Sequence, residues 1–70
     1  MTGEEHPLTP REVECLEWLG RGRTYAAIAS EMSIAVATVA MHVTSARRKL
    51  GAATRAQALV IALRRRLIDP

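Results

Sequence analysis

Phenylalanine is absent from this 70-residue sequence, and Trp18 and Tyr25 are its only aromatic residues. A core without that bulk must be assembled from Leu, Ile, Val, Met and Ala, which suits closely packed helices. Cys15 is the sole cysteine, so an intramolecular disulfide and a multi-cysteine zinc site are both excluded. It reads as a small buried hydrophobe, because a catalytic thiol needs a positioned base and no histidine lies near it in sequence. No apolar run reaches transmembrane length and no secretory signal pattern is visible, which predicts a soluble cytoplasmic domain without a membrane partner. Glycine-rich phosphate loops, metal-ligand clusters and spaced carboxylate pairs are also missing. Enzyme chemistry therefore has nothing to stand on, and no metal or cofactor is expected.

Acidic residues are scarce in the second half. Residues 1–31 hold six acids and three bases, a net charge of −3, whereas residues 32–70 hold seven bases and Asp69 alone among acids, a net charge of +6. That asymmetry suits a polyanion on one side of the domain. A single domain of this length buries only about 60% of its chain surface, so its stability is marginal without a partner.

What is present is a dense set of helix signals. Residues 1–7 show no periodicity and read as a tail or linker end, with a solvated His6, before a domain spanning residues 8–70. Thr9 is placed to cap a first helix, with Pro10 at its first position and Glu12 completing a capping box. Leu8 precedes the cap and can pack onto Val13. Cys15, Leu16 and Leu19 form the buried stripe, with Trp18 on its flank, and Gly20 and Gly22 end the helix. Thr24 caps a second, short helix whose Ile28, Ala29 and Met32 share one face. Ser33 and Ile34 make a tight turn, and Ile34 plugs the gap between helices.

The third helix places Val39, Val43, Ala46 and Leu50 on one narrow buried stripe. Its opposite face carries Ala37, Ala40, Met41, Thr44, Ser45 and Arg48. His42 lies beside the stripe as a packed, hydrogen-bonded histidine. Gly51 ends this helix after three basic residues. Thr54 and Gln57 repeat the capping-box spacing at the start of a fourth helix, whose AQALVIAL run is apolar nearly all round. One small domain can cover only one side of such a helix. Ala58 and Ala62 are expected inward, leaving Val60, Ile61 and Arg64 for a second copy of the chain. Two helices joined by a short turn, with one face of the second free, make a helix-turn-helix. The fold class predicted is all-α: four helices containing a helix-turn-helix, with the last helix available for dimerisation.

LTPRE at residues 8–12, Gly22, Ile28-Ala29, Thr38-Val39, His42-Val43, Lys49-Leu50 and Arg55-x-Gln57-Ala58, with Ala62 and Leu67-Ile68, occur in an order and spacing that is specific as a set. Over Leu8 to Ile68 the sequence resembles the C-terminal DNA-binding domain of LuxR-type transcription regulators. Glu14-Cys15-Leu16-x-Trp18 further resembles the quorum-sensing branch, whose members carry an acyl-homoserine-lactone domain. The resemblance implies a dimer formed through the last helix, with the third helix in the major groove of double-stranded DNA, and RNA polymerase as a further partner. Thr24, Tyr25 and Arg48 are expected to hold phosphates and Thr38 to reach the backbone. Ala40, Met41, Thr44 and Ser45 are expected to face base edges.

Four positions depart from the family pattern. Ala40 and Thr44 stand where members often carry basic or polar base readers. Thymine-methyl contacts, single hydroxyl bonds and DNA shape would then supply much of the specificity. Ala27 replaces a usual Glu. Arg66 replaces a usual Gly, which is expected to strain the backbone or extend the helix. The rival reading is a helix-turn-helix that serves as a protein-interaction or antagonist module with little DNA binding. The weak base-reading face favours it and the basic second half opposes it.

Overall fold

The computed structural model describes residues 6–70. Four helices follow one another: α1 (Pro10–Gly20), α2 (Tyr25–Met32), α3 (Val36–Lys49) and α4 (Arg55–Arg64). The chain bends by 105° between α2 and α3, within the range of a helix-turn-helix. No single helix among the described residues is long and apolar enough to cross a membrane.

Three of the four helices begin on a threonine. The side chains of Thr9, Thr24 and Thr54 accept from the backbone N–H groups of Glu12, Ala27 and Gln57 at 3.2, 3.1 and 3.1 Å. At α1 the Glu12 carboxylate accepts from the Thr9 N–H at 2.9 Å, so the capping box is complete. At α4 it is not. The Gln57 side-chain oxygen accepts from the Ala53 N–H at 2.6 Å, one residue before the expected partner.

All four helices end in the same six-residue closure. The N–H groups of Arg23, Ile34, Ala52 and Leu67 reach back to the carbonyls of Trp18, Ala29, Arg47 and Ala62. The residue preceding each donor must take a positive φ. Gly22 and Gly51 do so without steric cost, whereas Ser33 and Arg66 do so at φ 57° despite their Cβ atoms. The structure thus decides between the two consequences expected at Arg66: α4 is not extended, and the backbone is strained. The turn pulls Leu67 and Ile68 back onto the core, where Ile68 is buried.

The core has two lobes that share α1 and α3. Leu16, Ala46, Leu50, Ala58, Ala62, Leu8, Ala52 and Ile68 pack toward α4. Cys15, Ile28, Ala29, Met32, Val39 and Val43 pack toward α2, with Trp18, Tyr25 and Ile34 at the margin. The alternation of Cys15 and Leu16 in α1, and of Val39/Val43 and Ala46/Leu50 in α3, therefore sends neighbours into different lobes. Cys15 is fully buried with its Sγ 3.7 Å from Met32 Sδ. Burial pushes the Cys15 thiol above its ordinary pKa, and the nearby Glu14 charge adds to this.

The two ends of the described residues close onto one another. His6 is exposed, yet its ring bridges them: Nδ1 accepts from the Leu8 N–H at 3.1 Å and Nε2 lies 3.2 Å from the Leu67 carbonyl. The expectation of a merely solvated His6 is corrected here. The Asp69 N–H donates to Glu17 at 3.1 Å. The rest of the expected tail, residues 1–5, lies outside the described residues.

Candidate nucleic-acid interface

With one side of α3 committed to both core lobes, its other side is left uncovered. Ala40, Met41, Thr44, Ser45, Arg48 and Lys49 line a single shallow open hollow along it. Small side chains make the hollow. Met41, 69% exposed, is the large apolar side chain among them. Ala40, Thr44 and Ser45 are half-buried and Arg48 is exposed. Four residues expected to meet bases and one expected to meet a phosphate are thus brought onto one surface.

The basic residues at the end of α3 are not equivalent. Arg47 donates through Nη1 to the Ala52 carbonyl at 3.0 Å, tying it to the loop before α4. Lys49 Nζ lies 2.9 Å from Glu12 Oε1 on α1. Among the described residues, no side-chain partner is found for Arg48. The cluster that reads as three equivalent cations in sequence offers one unpaired guanidinium beside the hollow.

Thr24, Tyr25 and Thr38 lie off the hollow. Thr24 is exposed at the start of α2 and accepts from the Ala27 N–H, leaving its own O–H proton free to donate outward. Tyr25 is half-buried, and the Arg55 guanidinium lies 5.0 Å from its ring centroid. Arg55 is a basic residue at this site that the chain's pattern does not reveal, because the pairing joins the first residues of α2 and α4 across the fold. Trp18 carries Arg21 and Arg23 at 5.4 and 5.5 Å from its ring. Thr38 is half-buried in the first turn of α3. His42 is half-buried as expected, but no hydrogen-bond partner for its ring is found among the described residues.

On α4, Ala58 and Ala62 are fully buried, as the small pair at i and i+4 implies. Val60 is 47% exposed and Arg64 is exposed. Ile61 is only half-exposed because it packs against the core lobe beneath α4. Leu63, 40% exposed, stands outward beside Val60 and is missing from the expected stripe. Its signal was available, since Leu63 lies three residues after Val60 and shares its face.

Glu12 is the other group the cap assignment conceals. It lies on the spacing of Cys15, Leu16 and Leu19, and it is the only buried charged residue among those described. A carboxylate on a buried stripe requires a partner. Burial alone would raise its pKa. The hydroxyl of Ser45, the Thr9 N–H and the ammonium of Lys49 outweigh that and hold it below the ordinary value.

The profile of the bacterial regulatory proteins of the luxR family, the GerE domain, matches residues 6–62. The chain belongs to the LuxR family. It is a family of regulatory proteins rather than of enzymes. The quorum sensing-dependent transcriptional regulator VjbR of Brucella ovis is 44% identical over 62 residues, covering 89% of this chain and 24% of VjbR. The chain therefore spans about a quarter of the length of that relative. The solved structure of the transcription factor GerE superposes with a TM-score of 0.89 at 31% identity, covering 93% of this chain and 97% of that one. The response regulator ChrA, of a heme-sensing two-component system, superposes with a TM-score of 0.83 at 33% identity, covering 96% of this chain and 33% of ChrA. A quorum sensing-dependent transcriptional regulator and a two-component response regulator are thus both similar to this domain.

Proposed function

We propose that this LuxR-family domain binds double-stranded DNA sequence-specifically, as a dimer, with α3 in the major groove. The observation that carries the reading is the outward face of α3, where a hollow of small side chains ends at the unpaired Arg48. A major groove is about 12 Å wide and a helix with its side chains about 10–12 Å across, so a face of Ala, Thr and Ser favours close approach. Met41 and Ala40 would meet thymine methyls, and Thr44 and Ser45 would give single hydrogen bonds to base edges. Thr24, Tyr25 and Arg48 would hold phosphates, with Arg55 beside Tyr25, and Thr38 would touch the backbone. Phosphate contacts fix register and carry no sequence information of their own.

The dimer would form through Val60, Leu63 and Arg64 of α4, with Ile61 at its margin. The patch is small, so pairing would be weak in solution and strengthened by two adjacent half-sites. A regulator of this kind works inside the cell, and RNA polymerase would be its further partner.

Selection from a pool of random duplexes tests the reading. The recovered sequences should converge on an inverted repeat, and binding should weaken steeply with salt. An unbiased pool, or an absence of salt-dependent duplex binding, would overturn it in favour of a protein-interaction module.

A further inference from the structure

Glu12 sits at the first turn of α1 with only 3% of its surface exposed. It closes the α1 cap through the Thr9 N–H, at 2.9 Å. The same oxygen, Oε1, takes the Lys49 ammonium at 2.9 Å from a residue 37 positions later, on the last turn of α3. Ser45, one turn earlier on α3, faces the same carboxylate. Both Ser45 and Lys49 border the hollow. At 3.6 residues per turn Lys49 lies about 80° round the helix from Met41, on the flank that turns from the open face toward α1. A side chain with a four-carbon stem could swing from that flank toward a phosphate beside the groove. The buried carboxylate holds it the other way.

We infer that Glu12 is a positioning residue of the DNA-binding face, holding the Lys49 ammonium against α1 so that it does not act as a phosphate contact. The inference rests on the α3 reading given above. Its consequence concerns selectivity. A cation that can reach any phosphate strengthens binding to every sequence alike. Holding Lys49 back leaves Arg48 as the phosphate cation at that end of α3, and so limits sequence-independent attraction. The ion pair also fixes the last turn of α3 against α1, which sets how far Thr44 and Ser45 stand out from the domain.

The test is Glu12→Gln in the 70-residue chain. Glutamine keeps the shape and the capping oxygen, since Gln serves at this position of a capping box as Glu does. It removes only the charge that retains Lys49. Binding to a fluorescent random-sequence duplex of about 20 base pairs is followed from about 50 to 200 mM salt. Glu12→Gln should steepen the slope of log K against log salt by about 0.9, the value of one added phosphate contact, and tighten binding at the lowest salt. Glu12→Gln combined with Lys49→Met should return the slope to that of the unmutated chain. A variant that had merely loosened would not gain slope, nor lose the gain on removal of one lysine. Circular dichroism melts confirm that each variant is folded at the assay temperature.

An unchanged or shallower slope in folded Glu12→Gln overturns the inference, as does a gain that survives Lys49→Met. The α3 reading fails separately. In that case Arg48→Ala would leave the slope of the unmutated chain intact, or no salt-dependent binding would be seen at all. If Glu12→Gln is not folded, Lys49→Met alone decides. A slope matching the unmutated chain sustains the inference, and a loss of about 0.9 overturns it.

Discussion

The outward faces of α3 and α4 both leave apolar side chains in water beside arginine, yet they are built differently. On α3 a single long apolar side chain, Met41, stands among Ala40, Thr44 and Ser45, with the exposed Val36 one turn before Ala40, and the lining is concave. On α4 two branched side chains, Val60 and Leu63, stand next to each other three residues apart, with Arg64 at their edge. A narrow face with hydroxyls suits a groove whose walls carry both methyls and hydrogen-bonding edges. A contiguous apolar pair suits another protein surface. Exposure of apolar area does not by itself say what covers it. Side-chain size and the placement of unpaired charge separate the two cases.

Substitution of each face in turn is the direct way to break the comparison. Met41→Glu sets a carboxylate on the open α3 face, where phosphates would crowd it. Binding to a selected duplex should fall by about 100-fold, or about 2.7 kcal/mol, the upper part of the range for spoiling one base-pair contact. Thermal stability should stay within about 0.5 kcal/mol, because Met41 is 69% exposed. A gel-shift titration and a melt measure both. Equal losses for Met41→Glu and Val60→Glu on a single half-site would abolish the distinction between the faces.

Val60→Glu is expected to act on pairing alone. Cooperative binding to a duplex with two half-sites should weaken by about tenfold, or about 1.4 kcal/mol, while single half-site binding is unchanged. Sedimentation on the two-half-site duplex measures it. One protein per duplex at saturation for the unmutated domain would remove the dimer reading.

Arg66→Gly sharpens the comparison as a change that touches neither face. It relieves a φ of 57° at the closure after α4. The gain in stability should be about 1 kcal/mol, a rise in Tm of about 4–8 °C for a domain of this size. DNA affinity should be unaltered. A fall in Tm would mean that the Arg66 side chain makes a stabilising contact worth more than the strain.

The smallest expected effect is on acid stability. The Glu12 carboxyl is held below its ordinary value near 4.5 in the folded chain. Folding therefore favours the ionised form. That stabilisation is complete above the unfolded value and is lost as pH falls through the lower, folded value. Urea titrations across that interval should show a slope in the unmutated chain that Glu12→Gln lacks. Equal pH dependence in the two would place the charged form's stabilisation elsewhere.

Much of this fold is legible in the sequence because helix starts are local. Thr9, Thr24 and Thr54 each cap with the backbone three residues on, and the α3 stripe follows from spacing alone. Helix ends are half legible: Gly22 and Gly51 announce their turns, while Ser33 and Arg66 take the same conformation with residues that do not require it. The outward residues of α3 were legible by subtraction from the buried stripe. What was hidden is tertiary. The Glu12–Lys49 pair joins α1 to α3, the Arg55–Tyr25 stack joins α4 to α2, and the inward lean of Ile61 depends on how α4 lies on its neighbours. Spacing along one helix cannot sort Arg47, Arg48 and Lys49, because their partners are supplied by other elements.

The central claim is that α3, and not α4, turns its open face to DNA. The methionine methyls provide a direct test, since Met41 stands on that face while Met32, the last residue of α2, is buried in the core. Methyl-labelled chain is titrated with a random-sequence duplex at low salt and followed by NMR, with the Val60 and Leu63 methyls observed in the same samples. The account predicts large shifts at Met41 and small ones at Met32, Val60 and Leu63. A Met41 methyl that does not move while those of Val60 and Leu63 do would contradict it.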